Sequence, residues 1–278
     1  MSIQTTLLRP VKGLDDSLTQ LGGQLRFYAR SIGWSGRTIR RYKKEVLRLL
    51  AEVALGTGAL AVIGGTVGVI AFLAFFTGTE VGLQGYSALN QLGSSAFTGF
   101  VSAYFNTREI APLVAGLALA ATVGCGFTAQ LGAMRISEEV DALEVMGIPS
   151  LPFLVTTRMI AGFVAVIPLY VLGLLSSYWA TRLIATEYYG QSKGTYDHYF
   201  HLFLPPGDVL WSFGKVLEYA VENILIHCDY AYSASGGPAG VGVAVGKAVR
   251  TSIVAINIVD FFLSLAIWGA TTTVRIAG

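Results

Sequence analysis

From about residue 50 onward, long apolar runs alternate with short polar breaks. Each run approaches or exceeds the roughly 20 residues that an α-helix needs to cross the hydrocarbon of a bilayer. The pattern predicts five transmembrane helices, at about 50–76, 110–134, 152–184, 209–232 and 248–273. Ahead of them, residues 34–50 mix basic side chains with Trp34, Ile39, Tyr42, Val46, Leu47 and Leu50. That mixture suits a helix lying in the bilayer surface with its Arg and Lys snorkelling toward headgroups. The expected fold class is an all-α membrane protein, with an interfacial segment over 1–49 and a membrane domain over 50–278. Residues 1–33 show no strong pattern.

The most informative break is Met134–Ile148, M-R-I-S-E-E-V-D-A-L-E-V-M-G-I, an acidic island between apolar runs. Ile136, Val140 and Leu143 form an i, i+4, i+7 stripe, while Glu138, Asp141 and Glu144 fall three apart on another face. Ser137 reads as the N-cap, with Glu138, Glu139 and Asp141 in the first turn, where the helix dipole favours negative charge. Gly147 and Pro149 are stop signals. The expectation is a short amphipathic helix at about 137–147, on the membrane surface with its acidic face outward. A solvated loop that merely marks the boundary is the plainer alternative.

The other breaks carry less. Residues 80–107 are too polar for a lipid-facing helix and too apolar for a solvated loop. They read as a broken or re-entrant segment beside a substrate path, because irregular backbone at membrane depth must be buried or line a cavity. Gly64 and Gly68 have the small-xxx-small spacing of close helix pairs, although membrane helices are glycine-rich in general. Pro168 is expected to kink its span, and Arg158 to snorkel to the face that carries the acidic island. Residues 187–208 read as a polar, aromatic loop in which Asp197, His198 and His201 mimic a metal set; no further ligands accompany them. Ser235–Gly242 reads as a tight turn. Gly246 and Lys247 behind it are not a phosphate loop, since the first glycine is missing and Ala248 replaces the required Ser or Thr. Lys247 and Arg250 fit a surface loop.

Ionisable residues inside the apolar runs are functional candidates by position. Arg108 and Glu109 either neutralise one another or meet an anionic headgroup. Lys215 and Glu218 are spaced to pair, and Glu218 and Glu222 share a face that must point inward, with a structural ion-pair network as the plain reading. Asp260, mid-span, must be paired or face a cavity.

Composition sharpens this picture. Hydrophobic residues make up 53% and charged residues 13% of the 278, well below the roughly 25% charged share of soluble domains. Ten of the 19 Lys and Arg precede Leu49, against three of the 17 acids, which argues for a cytoplasmic N-terminus. With five spans the C-terminus then lies outside. Anionic lipid explains the basic cluster, so no nucleic-acid partner is expected. Cys125 and Cys228 stand far apart in apolar runs and read as inert thiols. No cleavable signal peptide is expected, since about 50 mostly polar residues precede the first apolar run.

The string E-E-V-D-A-L-E-V-M-G-I resembles the signature of the MlaE/YrbE permease family, the membrane subunits of ABC-type lipid transporters. L-Q-G-Y at Leu83–Tyr86, R-E-I-A-P at Arg108–Pro112 and S-G-G-P at Ser235–Pro238 resemble further family strings in the same order. Where some relatives have A-G-R-A-G, this chain has A-A-T-V-G, so the role of that arginine does not carry over to the region of Thr122. K-E-V-L-R-L-L-A-E, G-Q-S-K-G-T-Y-D-H-Y-F and S-G-G-P-A-G-V-G are most similar to the B-type YrbE subunit of actinobacterial Mce systems. The resemblance implies that the island is a coupling helix contacting an ATPase through Glu138, Glu139, Asp141, Ala142, Leu143 and Met146. It implies a lipid pathway near Leu83, Gln84, Tyr86, Arg108 and Glu109. It also implies an A-type YrbE partner, a cytoplasmic ATPase dimer that holds ATP and Mg, an Mce hexamer outside, and a lipid cargo. This chain is expected to hold no cofactor or metal and to have no catalytic residues. An ion-coupled secondary transporter using Glu109, Glu218, Glu222 and Asp260, and a structural scaffold, are the alternatives; an intramembrane enzyme would need a nucleophile–base set that is not visible.

Overall fold

A computed structural model describes residues 19, 21–55 and 65–269. Every regular element among them is helical: α1 over 21–33, α2 Ser35–Arg41, α3 Lys43–Leu55, α4 Gly65–Gln91, α5 Ser95–Ile136, α6 Glu139–Val145, α7 Leu151–Tyr188, α8 Lys193–Leu202, α9 Pro206–Tyr232 and α10 Gly237–Trp268. The all-α membrane architecture expected from the sequence is the one observed.

Among the described residues four helices, α4, α5, α7 and α10, are long and apolar enough to cross a membrane. The 27-residue α9 runs beside them from end to end. Its first turn meets the last turn of α10, where Trp268 Nε1 donates to Asp208 at 3.0 Å. At its other end Tyr232 packs on Phe27 of α1, 5.7 Å between ring centroids. Its lower hydropathy has a structural cause: Asp208, Ser212, Lys215, Tyr219, Asn223 and His227 lie three or four apart and are all buried. One polar stripe is thus turned into the bundle, where its groups bond to α5 and α10 instead of facing lipid.

The bundle has two unlike ends. At one end α6 joins α5 to α7, and α1–α3 pack alongside; Thr156 donates to the Ser31 carbonyl at 3.0 Å, and Gln24 to Asp229 at 3.0 Å. At the other end lie the α4–α5 turn and α8. The core between them gathers Leu131, Val155, Val166, Leu169, Tyr170 and Cys228, among others, from α5, α7 and α9.

Several expected boundaries move. The first span is not 50–76. α3 carries the basic helix to Leu55, and α4 begins at Gly65, whose φ of +62° starts it in the left-handed region open to glycine. Gly64 and residues 270–273 of the expected last span lie outside the described residues. Nor are residues 80–107 re-entrant. A 27-residue helix is about 40 Å long, against about 30 Å of hydrocarbon. The polar turns Glu80–Gln91 are therefore the emerging end of α4, closed by an i, i+4 bond from Gln84 Nε2 to Glu80 at 2.7 Å. The chain breaks only at Leu92–Ser94, where Gly93 has φ +67°, and α5 then runs unbroken to Ile136. α7 continues through Pro168 as helix. The expected loop 187–208 contains α8, and the expected turn after Ser235 is already helix from Gly237, so Lys247 and Arg250 lie on α10 and not in a loop.

Helix packing here depends on missing side chains at α4–α7. A Cβ at Gly78 would stand 2.8 Å from the Ser177 Cα and closer still to its carbonyl oxygen, and a Cβ at Gly82 would stand 2.9 Å from the Ile184 Cβ. The close approach lets Thr181 Oγ1 donate to the Gly78 carbonyl at 2.7 Å.

Candidate functional site

Two groups of residues stand out, one at each end of the bundle. The first is α6. Ser137 does not cap it: its hydroxyl points back to the Ala133 carbonyl, 2.9 Å, and to Glu139, 3.0 Å. The residue at the N-cap is Glu138, with φ +62°, the only non-glycine residue at positive φ among the described residues. The helix cannot simply continue α5, because this residue turns the chain between them. Such backbone costs a non-glycine residue on the order of 1 kcal/mol and is held where the surroundings require it. Arg135 reaches over the corner to Asp141 at 2.6 Å. At the far end Ser150 donates to Glu144 at 2.6 Å, and Gly147 takes φ +74°.

The expected amphipathic split is present. Val140 is buried in the main core and Leu143 packs against it. Glu138, Glu139, Asp141 and Ala142 are exposed, and so are Val145 and Met146, at 88% and 66%. An acidic edge with an apolar tip therefore projects from a root fixed in the core. Arg158 does not join this surface. It is buried, bonded to the Leu154 carbonyl at 2.8 Å and stacked over Phe127, 5.3 Å to the centroid. Its alkyl stem starts too far inside α7 to snorkel out, and its own helix supplies the acceptor.

The second group lies toward the other end, where α5, α9 and α10 meet. Arg108 and Glu109 sit in a π-helical stretch of α5, Ser102–Ile110, a widened turn often found at functional positions. They do not pair with each other. Arg108 binds Asp208 through Nε, 2.7 Å, and through its terminal nitrogen, 2.6 Å. Its guanidinium lies over Tyr104 and Trp268, 4.1 and 5.1 Å to the centroids. Lys215, with a fully buried side chain, holds Asp260 at 2.6 Å, Glu109 at 3.2 Å, Ser264 Oγ at 2.8 Å and the Arg108 carbonyl at 2.6 Å. Ser264 in turn donates to Glu109 at 2.8 Å, and Tyr219 to Asp260. Three helices are joined by two cations, three carboxylates and the neutral donors that balance them. Buried charges persist only when paired and hydrogen-bonded in this way.

Spacing along the chain offers Lys215 to Glu218, its i+3 neighbour. The structure turns Lys215 toward α5 and α10 instead, where two carboxylates compete better than one half-buried neighbour. Glu218 and Glu222 stay outside the network, each with a buried Oε2 that has no hydrogen-bond partner. Asp208, Tyr219, Ser264 and Trp268 were missed. Asp208 had a signal: it sits two residues after Pro206 in the first turn of a helix, where a carboxylate is favoured. Leu83, Gln84 and Tyr86 are held apart from this network. Tyr86 stacks on Tyr189, 4.0 Å between centroids, Leu83 offers its carbonyl to the same tyrosine at 3.5 Å, and Gln84 bonds Glu80. The two halves of the expected lipid pathway thus have different partners.

The Asp197–His201 trio has an internal explanation. Arg182 binds Asp197 with two bonds of 2.8 Å, and His201 Nδ1 contacts the Asp197 carbonyl at 2.7 Å. Arg182 holds the Asp197 carboxyl below its usual value, through the bonded pair first and through charge second. A depressed carboxyl stabilises the fold above its unfolded pKa of about 3.9, and the gain fades as pH falls through the folded value. With both side chains about 40% exposed, the effect is small. We expect wild type to melt slightly above Asp197→Asn at pH 7 and the difference to shrink as pH falls below about 3.9, measured by thermal unfolding in detergent.

Similarity to known proteins agrees with this architecture. The family model described as Permease MlaE matches residues 56–266. The protein TRIGALACTOSYLDIACYLGLYCEROL 1, chloroplastic, of Arabidopsis thaliana is 30% identical over 199 residues, which are 72% of this chain and 57% of that protein. A probable ABC transporter permease protein of Rickettsia bellii is 29% identical over 196 residues, 70% of this chain and 76% of the relative. The intermembrane phospholipid transport system permease protein MlaE of Haemophilus influenzae is 26% identical over 203 residues, 73% and 78% of the two chains. The chain spans little more than half the length of the plant relative and about three quarters of the bacterial ones. With its multi-pass helical bundle and a family match over most of its length, the chain belongs to the MlaE permease family.

Proposed function

We propose that this chain is the permease subunit of an ATP-driven, Mce-type lipid importer, in which α6 receives the push of a cytoplasmic ATPase. The observation that carries the reading is the form of α6: an exposed acidic edge and the apolar tip Val145–Met146, rooted through Val140 in the same core that α5, α7 and α9 share. A load on such a helix passes to both attached spans, because the root is packed and cannot yield alone. Glu138, Glu139 and Asp141 meet basic or polar groups of the ATPase, and Ala142, Leu143 and Met146 complete the contact. ATP and Mg are held by that partner.

The α6 end is cytoplasmic in this reading, supported by the basic residues of α1–α3 that share it, and the C-terminus is extracytoplasmic. The cargo is a lipid such as a fatty acid, a mycolate-type lipid or a sterol, passing near Arg108 and Glu109. The names of the bacterial relatives support an ABC permease, and that of the Haemophilus protein a phospholipid cargo for that protein. The B-type YrbE strings support an A-type YrbE partner and an Mce hexamer.

The test separates charge from backbone. Glu138→Gly keeps the positive φ and removes the carboxylate; Glu138→Lys reverses the charge. Both are expected to leave the bundle folded, and Glu138→Lys to lose ATPase binding by about 2–5 kcal/mol, read by pull-down of the ATPase. ATP-dependent lipid transfer in proteoliposomes should fall in step. Undiminished ATPase binding by Glu138→Lys would remove α6 as the docking element. Transfer that ignores ATP and collapses with the proton gradient would favour ion coupling instead.

A further inference from the structure

At the α6 end, a cleft of about 300 Å³ opens between α2 and the start of α7. Arg37, Arg40 and Arg41 line it from α2, and Pro149 and Pro152 from the α6–α7 corner. Arg37 stacks over Trp34, 5.2 Å to the centroid, and Arg41 over Tyr42, 5.7 Å, so two of the three guanidinium groups are carried by aromatic walls. Among the described residues no carboxylate forms an ion pair with any of the three. Thr38 also lines the cleft. It is 1% exposed, and its hydroxyl has no hydrogen-bond partner. A buried hydroxyl left in that state is costly.

Three cationic donors and an unanswered hydroxyl around one small cleft suit a ligand with several acceptor oxygens and negative charge. A phosphate group meets that requirement, and arginine recognises it through paired N–H donors. The position selects the source. Ile39 and Leu47, on α2 and the adjoining α3, are exposed apolar residues, and Pro152 opens a membrane span. The cleft therefore lies beside the start of a membrane-spanning helix, among exposed apolar residues.

We infer that this cleft binds the phosphate of an anionic phospholipid headgroup. The bound lipid would bridge α2 to the corner that follows α6, fixing the interfacial helices against the element proposed to receive the ATPase. The binding site does not depend on the transport reading, because it is tested without ATP or transport.

The complex extracted with the full chain is reconstituted in nanodiscs of phosphatidylcholine, with and without phosphatidylglycerol, and retained lipid is identified by native mass spectrometry. Phosphatidylglycerol is expected to stay bound preferentially. Arg37→Gln and Arg41→Gln should each lower its retention about fivefold, and Thr38→Val should lower it with all arginines intact. Arg26→Gln with Arg30→Gln, on α1 outside the cleft, should leave it unchanged. Equal losses from both pairs of arginines would overturn the site in favour of a diffuse basic surface. Binding of inorganic phosphate with no preference for phosphatidylglycerol would overturn the lipid as its source. Melting temperatures no lower than wild type in all variants keep the comparison independent of folding.

Discussion

Replacing Lys215 with methionine is expected to destabilise the protein by about 3–5 kcal/mol, the usual cost of leaving buried charges without their partner. The reason lies in what remains. Asp260 and Glu109 both point at the ammonium group, at 2.6 and 3.2 Å, and Ser264 is oriented by it at 2.8 Å. Without the lysine, two carboxylates are left close together, with only the hydroxyls of Tyr219 and Ser264 as donors. The loss should reverse in large part when Glu109→Gln and Asp260→Asn are added, since a neutral network needs no counter-ion. Thermal unfolding in detergent reads both steps. Non-additivity is the informative result: residues in one network couple, whereas independent sites add. Equal damage from the single and triple variants would mean that packing, not charge, holds α5, α9 and α10 together.

The second large effect is expected at the crossing of α4 and α7. Gly78→Ala places a methyl group 2.8 Å from the Ser177 Cα and nearer still to its carbonyl. Both obstacles are backbone, so no rotamer change relieves the clash and the helices must separate. Overpacking of this kind costs about 1–3 kcal/mol, occasionally more, and separation also stretches the 2.7 Å bond from Thr181 to the Gly78 carbonyl. Gly214→Ala is the control, because a Cβ there meets nothing within 4 Å. The first variant should melt well below wild type, and the control at or slightly above it, given the helix preference of alanine. Equal behaviour of the two would show that the α4–α7 contact is looser than the geometry requires.

The legible and illegible parts of the sequence divide along physical lines. Local period and length revealed α6, with Val140 inward and Glu138, Glu139 and Asp141 outward, because amphipathicity is written at a spacing of three and four. The same signal located the cores of the spans. It failed for Glu80–Gln91, since a helix that outruns the bilayer carries polar turns that resemble a break. It failed at Ser137 because a cap can be replaced by a backbone turn, here Glu138 at φ +62°. The buried network was only half visible. That Arg108, Glu109, Lys215 and Asp260 need partners follows from their depth, but the pairings Arg108–Asp208 and Lys215–Asp260 join residues 100 and 45 positions apart. Spacing along one helix offered Lys215 the nearer Glu218, and tertiary packing overruled it.

These pairings also give the permease a mechanical form. α6 is rooted in the core at one end, while α5, α9 and α10 are tied by charge near the other. Under the proposed function, a push at α6 would act on α5 and α7, and of these α5 is tied near its far part to α9 and α10 by the buried charges.

The most direct test of the central claim is affinity purification of the tagged chain from its native membrane under gentle extraction, with identification of the co-purifying proteins. An ATPase is expected together with a second permease chain, and the ATPase alone is expected to be lost in Glu138→Lys. A chain recovered without any ATPase, or an ATPase retained equally by Glu138→Lys, would contradict the role given to α6.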